Sequence, residues 1–147
     1  MSTAHDDLDA RLAKARAEME EVDRAREERA SLDAKRARVE AAEREVADAK
    51  AIAAAEEKFG RDKIATIKTP LGVVIVKRPN HMHYRKFIGA KDIGPDEAER
   101  LVLTCLVHPS RAAFEQIVEE YPAIPTIAAT QVVDLAAGRQ EELAGKS

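Results

Sequence analysis

The first 58 residues place apolar side chains at steps of three and four among charged ones, with no proline, glycine or aromatic residue to interrupt the series. Alanine, glutamate, arginine and lysine predominate, residues that lose little on entering a helix. The pattern predicts one continuous charged helix from about His5 to Lys58, roughly 80 Å long at 1.5 Å per residue. Leu8, Leu12, Ala15, Met19 and Val22 follow the a/d spacing of a coiled coil. Arg26 and Arg29 then stand where the seam should continue, and the series resumes in a shifted frame at Leu32, Val39 and Val46, with Ala42 and Ala49 between. Pairs such as Asp7 with Arg11, Glu20 with Arg24 and Glu40 with Arg44 would each add about 0.2–0.5 kcal/mol to the isolated helix. Two readings stand side by side: a charged helix that pairs loosely or frays, and a coiled coil or partner-docking helix whose oligomerisation seam is Leu8, Leu12, Met19, Val22, Leu32, Val39 and Val46.

At Gly60 the pattern changes. Ile64–Thr69 and Val73–Lys77 are rich in β-branched residues and flank Pro70-Leu71-Gly72, which reads as a β-hairpin over residues 64–77. Two strands alone are marginal in water, so the hairpin must lie on helices or pair with another strand. Pro79-Asn80 supplies a stop and an N-cap for a short helix, His81–Ile88, with Met82, Phe87 and Ile88 as its apolar contacts. Pro95 opens the next helix, its first turn acidic at Asp96, Glu97 and Glu99, and the apolar run Leu101–Val107 marks it as the central buried helix. Ser110 caps a further helix, Arg111–Tyr121, with Phe114, Ile117, Val118 and Tyr121 on one side. The last helix runs from Ile124 to about Gly138, with Ile127, Ala128, Val132 and Leu135 inward, and the tail 139–147 should fray. The expected fold is therefore mainly α with one β-hairpin: a long N-terminal helix over residues 1–59, then a small hairpin-plus-four-helix domain over residues 60–147.

Charge changes this picture little. The helical segment carries −4 and the remainder +1 of the chain's net −3, without the basic excess of a general nucleic-acid binder. The lone Cys105 excludes an intrachain disulfide and suits a reducing compartment. No apolar run reaches the roughly 20 residues that span a bilayer, and no apolar signal region opens the chain, so the sequence predicts a soluble, cytoplasmic protein with no membrane partner.

Candidate chemistry is sparse. None of the four serines sits in a nucleophile elbow, and no glycine pattern cradles phosphate. Cys105 and His108 stand three apart, but in the most apolar run of the chain, where a buried inert thiol is the default. His81 and His83 point apart on a helix, and the carboxylate pairs Glu119-Glu120 and Glu141-Glu142 lie on solvated faces. The residues point to no enzyme, no metal and no cofactor. One concentrated feature remains, the basic and aromatic segment from Lys77 to Lys91. It could grip a nucleic-acid backbone while Tyr84 and Phe87 stack bases, or bind an acidic helix of a protein partner, which the small net charge favours.

The order of "VKRP", "NHMHYRKFI", "DEAERLVLTCLVHPSRAAFEQIVEEYPAI" and "AATQVVDLAAG" resembles the tail assembly chaperones of tailed bacteriophages and related phage-like particles. Arg78, Pro79, Tyr84, Arg85, Phe87, Cys105, Pro109, Arg111, Phe114, Tyr121 and Pro122 carry the likeness, within residues 64–138. The resemblance implies a non-enzymatic role, binding the helical tape measure protein until tail tube subunits polymerise around it. The corresponding expected site is a groove with Tyr84, Phe87, Phe114 and Tyr121 as apolar anchors and Arg78, Arg85 and Lys86 as its polar rim. The N-terminal helix could add a second contact or drive homo-oligomerisation. A structural adaptor retained in an assembled particle, and a nucleic-acid binder acting through residues 77–91, are the rival readings.

Overall fold

The computed structural model describes residues 3–138; the expectations for the tail and for Glu141-Glu142 lie outside them. An unbroken helix α1 runs from Thr3 to Phe59 and ends where Gly60 turns to φ +94°, a conformation that L side chains rarely adopt. The chain forms two compact units, Met1–Glu43 and Arg44–Ser147. In the first, the described residues are helical, and the side chains from Ala4 onward are exposed. The seam positions Leu8, Leu12, Met19, Val22, Leu32 and Val39 stand 47–67 % open.

The second unit is built on an antiparallel sheet. β1 (Ile64–Thr69) and β2 (Gly72–Lys77) form the expected hairpin, with Thr69 opposite Gly72 across a two-residue turn. A third strand, β3 (Leu106–His108), pairs with the far edge of β2 at Ile75 and Val76, so β2 is central in the order β1-β2-β3. Its side chains alternate between two cores. Val73 and Ile75 meet Ala51, Ile52, Ala55 and Phe59 of the last turns of α1. Val74 and Val76 meet the helices that follow the hairpin. Burial on both faces accounts for the unbroken apolar run Val73–Val76, and each of these side chains contributes about 1.5–3 kcal/mol relative to exposure.

Those later helices are α2 (His81–Ile88), α3 (Pro95–Cys105), α4 (Arg111–Glu120) and α5 (Ile124–Ala136). Their starts follow the local chemistry. The Asn80 side chain accepts from the His83 N–H at 2.8 Å, Pro95 occupies the first position of α3 while Glu97 Oε2 accepts from the Gly94 N–H at 3.1 Å, and Ser110 Oγ accepts from the Ala113 N–H at 3.3 Å. Phe114 of α4, Val102 of α3 and Val132 of α5 are fully enclosed at the centre of this core.

Four expectations need correction. The apolar run Leu101–Val107 is not all helix: α3 stops at Cys105 and Leu106–His108 extends into β3, because Pro109 disfavours helical geometry just before it and the β2 edge offers hydrogen-bond partners. Met82 and Ile88 are not contacts of α2 but stand 77 % and 51 % exposed, leaving Phe87 as the α2 side chain that packs on the core. Ile127 faces outward rather than inward, since α5 buries the face made by Ile124, Ala128, Val132 and Leu135. Tyr121 follows α4 as an exposed cap residue instead of extending its apolar side.

Two polar side chains fasten α1 to the hairpin. Arg44 Nη1 donates to the Pro70 carbonyl at 2.7 Å, and Asp48 Oδ1 accepts from the Val73 N–H at 3.0 Å. Short β3 does not extend to Val73, so Asp48 supplies the acceptor that a longer strand would have supplied.

Candidate protein-binding groove

Helix α2 lies against α3, and its half-buried Phe87 divides two open cavities. The larger, about 630 Å³, is walled by Phe87, Ala90, Leu101 and Leu103 and edged by His83, Lys86, Arg100, Thr104 and Arg111. The second, about 430 Å³, lies between α3 and α5, with Phe87, Ile93, Ala98, Ala129 and Val133 among its lining. Ile93 is 56 % exposed there, with no apolar cover.

Cations outnumber carboxylates in the lining of the larger cavity, although Arg100 and Arg111 also border a smaller one with Asp96, Glu99 and Glu115. Lys86, Arg100 and Arg111 reach solvent around an apolar floor, against the single carboxylate Glu97. That carboxylate is engaged at the start of α3 by the Gly94 N–H. Arg111 also meets Glu115 at 3.4 Å on the open surface, a contact of little energetic weight. An apolar floor with a cationic rim suits a segment that alternates apolar and acidic side chains at helical spacing.

The expected site residues do not converge on one groove. Lys86 and Phe87 line the larger cavity. Phe114 is 0 % exposed in the core and is no anchor. Arg78 turns away, its Nε donating to the Leu135 carbonyl at 3.0 Å, which ties the end of β2 to α5. Tyr84 is half-buried on α2, while Arg85 and Tyr121 are exposed, and none of the three lines either cavity. Arg100, Leu101, Leu103 and Thr104 went unrecognised, although Glu97, Arg100, Leu101 and Thr104 share one face of α3 by their spacing of three and four.

The rival chemistry also has its geometry. Within the basic segment, Lys77 Nζ lies 5.3 Å from the centroid of Phe59, whose ring is also approached by Lys58 Nζ at 5.2 Å. Lys77 and Arg78 therefore both contact the protein itself. Cys105 is buried, and that burial pushes its thiol up to about 11 despite the opposing charge of Lys77, which leaves it protonated and inert near neutral pH. His81 and His83 are exposed on α2. Among the described residues, no three His, Cys, Asp or Glu side chains are grouped to hold a metal ion, and no helix is long and apolar enough to cross a membrane.

A family described as a domain of unknown function (DUF6848) matches residues 71–146. The match begins in the hairpin turn, so it contains the lining of both cavities and leaves α1 outside. No curated protein and no solved structure matches the chain.

Proposed function

The chain belongs to the DUF6848 family through more than half of its length, and from that premise we propose that it is a non-enzymatic protein-binding factor whose groove beside Phe87 holds an acidic, amphipathic helical segment of another polypeptide. The observation that carries this reading is the pairing of an apolar floor, Phe87, Ala90, Leu101 and Leu103, with the cationic rim of Lys86, Arg100 and Arg111. An apolar helix face would fill the floor, and its flanking carboxylates would meet the rim. The resemblance to phage tail assembly chaperones makes the tape measure protein the partner of choice, held until tail polymerisation takes over.

Titration calorimetry of the full chain with helical fragments of a phage tape measure protein tests the proposal. Reversing two rim charges, Lys86→Glu with Arg100→Glu, should weaken binding by roughly tenfold to a hundredfold, as expected when close charge pairs across an interface turn repulsive. These side chains are exposed, so the fold should survive their reversal. Unchanged affinity in the double variant defeats the groove. Tight binding to DNA that fades steeply with salt would favour the nucleic-acid reading instead, and recovery of the chain from finished particles would favour a structural adaptor.

A further inference from the structure

Helix α1 carries an apolar stripe that the fold leaves uncovered. Leu32, Val39 and Val46 stand seven residues apart, with Lys35 and Ala42 at the intervening seam positions and Ala49 after them, and the three larger apolar side chains are 47 %, 56 % and 55 % exposed. In heptad terms Leu32, Val39 and Val46 are a positions and Lys35, Ala42 and Ala49 are d positions. The residues by which α1 contacts its own sheet occupy other heptad positions. Arg44 and Asp48 bond the hairpin, and Ala51 and Ala55 pack on it, from f and c, while Ile52 and Phe59 reach it from g at the edge of the seam. Within the second unit, the seam residue Val46 is 55 % exposed and is not among the side chains packed on the sheet.

We infer that residues 32–53 of α1 form a parallel, in-register coiled coil with the same segment of a second copy of this chain. Charge selects this occupant. In such a pair each g position faces the e position five residues later in the partner helix, which sets Arg38 against Glu43 and Glu45 against Lys50, both attractive and both made twice by symmetry. Reversing one helix about the same centre would oppose Glu43 to Glu43, Glu45 to Glu45 and Arg36 to Lys50, all repulsive. Branched side chains at a, as in Val39 and Val46, suit two parallel strands. The earlier frame behaves differently: in register, Arg11 would face Arg16 and Glu18 would face Asp23, so the Leu8–Val22 seam opposes the parallel pairing that residues 32–53 favour. With Ala42 and Ala49 at d the seam is thin, and Lys35 at the first d position meets its own copy with only its aliphatic stem in the seam, so the dimer is one that concentration and salt will tune. This inference does not depend on the groove beside Phe87.

Sedimentation equilibrium of the full chain in low salt should give twice the chain mass of 16.1 kDa. Glu43→Arg should raise the dimer dissociation constant by about tenfold, since two attractive contacts become repulsive. Adding Arg38→Glu should restore the pairing by exchanging the charges. Under mild oxidation Val39→Cys should link copies through a disulfide, whereas Ala41→Cys, off the seam, should link no more than the parent chain with its buried Cys105. A chain that stays at 16.1 kDa at high concentration overturns the inference. So does Glu43→Arg with unaltered association, and so does Val39→Cys that links no better than Ala41→Cys, which would exclude parallel register.

Discussion

Asp48 is the side chain whose removal best tests how the fold is held. Its Oδ1 accepts the Val73 N–H at 3.0 Å, and Val73 is 1 % exposed beneath α1. Asp48→Ala leaves that buried donor without an acceptor, and the loss of a hydrogen bond to a charged group together with the orphaned N–H costs about 2 kcal/mol. For a unit of this size that corresponds to a drop of roughly 8–16 °C in melting temperature. Asp48→Asn keeps an oxygen in the same place, so about half the stability should return. Arg44→Ala, which removes an exposed bond to the Pro70 carbonyl, should cost less than about 1 kcal/mol. Urea unfolding followed by tyrosine fluorescence reads the relevant unit alone, because Tyr84 and Tyr121 are the chain's only tyrosines and both lie in Arg44–Ser147. If Asp48→Ala unfolds within 0.5 kcal/mol of the parent, a change small beside the expected cost, or if Asp48→Asn is as damaging as Asp48→Ala, the strand-capping role of this carboxylate is refuted.

Three further outcomes are expected. Burial lifts the Cys105 thiol from about 9.0 to about 11, so the folded state favours the neutral thiol; stability from this group is complete below pH 9 and drains away as pH rises towards 11. Chemical denaturation at stepped pH should show that loss in the parent and a flatter curve in Cys105→Ala. Phe114→Ala empties the fully enclosed centre of the core and should cost about 3–5 kcal/mol in urea unfolding. Asn80→Ala removes the cap of α2 and should cost about 1 kcal/mol, with faster amide exchange at His83 as its local signature.

Much of this fold is written in local signals. The absence of any breaker before Gly60 gives α1, and Asn80, Pro95 and Ser110 set the starts of three helices within a residue, because capping is chemistry between neighbours. Met82, Ile88 and Ile127 were misjudged in which helix face is buried, and the other misses involve partners distant in the chain. Leu106–His108 has helical company on its N-terminal side; Pro109 disfavours continuing that helix, and the exposed edge of β2 makes the segment a strand. A clue was present, since four consecutive apolar residues at Val73–Val76 call for cover on both faces. Asp48 and Arg44 look like two more charges on a solvated helix, and their contacts lie 25 and 26 residues away. At the groove, Phe87 and Lys86 were legible from composition, whereas Phe114 was misplaced because an amphipathic face cannot say whether it meets a core or a partner.

The close packing of Ala51, Ala55 and Phe59 on Val73 and Ile75 has a practical corollary for anyone trimming the molecule. Gly60 looks like the natural place to cut, and the family match, starting at residue 71, invites a cut later still. Either would unroof one side of the sheet, baring Val73 and Ile75 to water and inviting the fragments to clump. A shortened chain that is to stay dispersed must begin ahead of Arg44, keeping the last four turns of the helix as its lid.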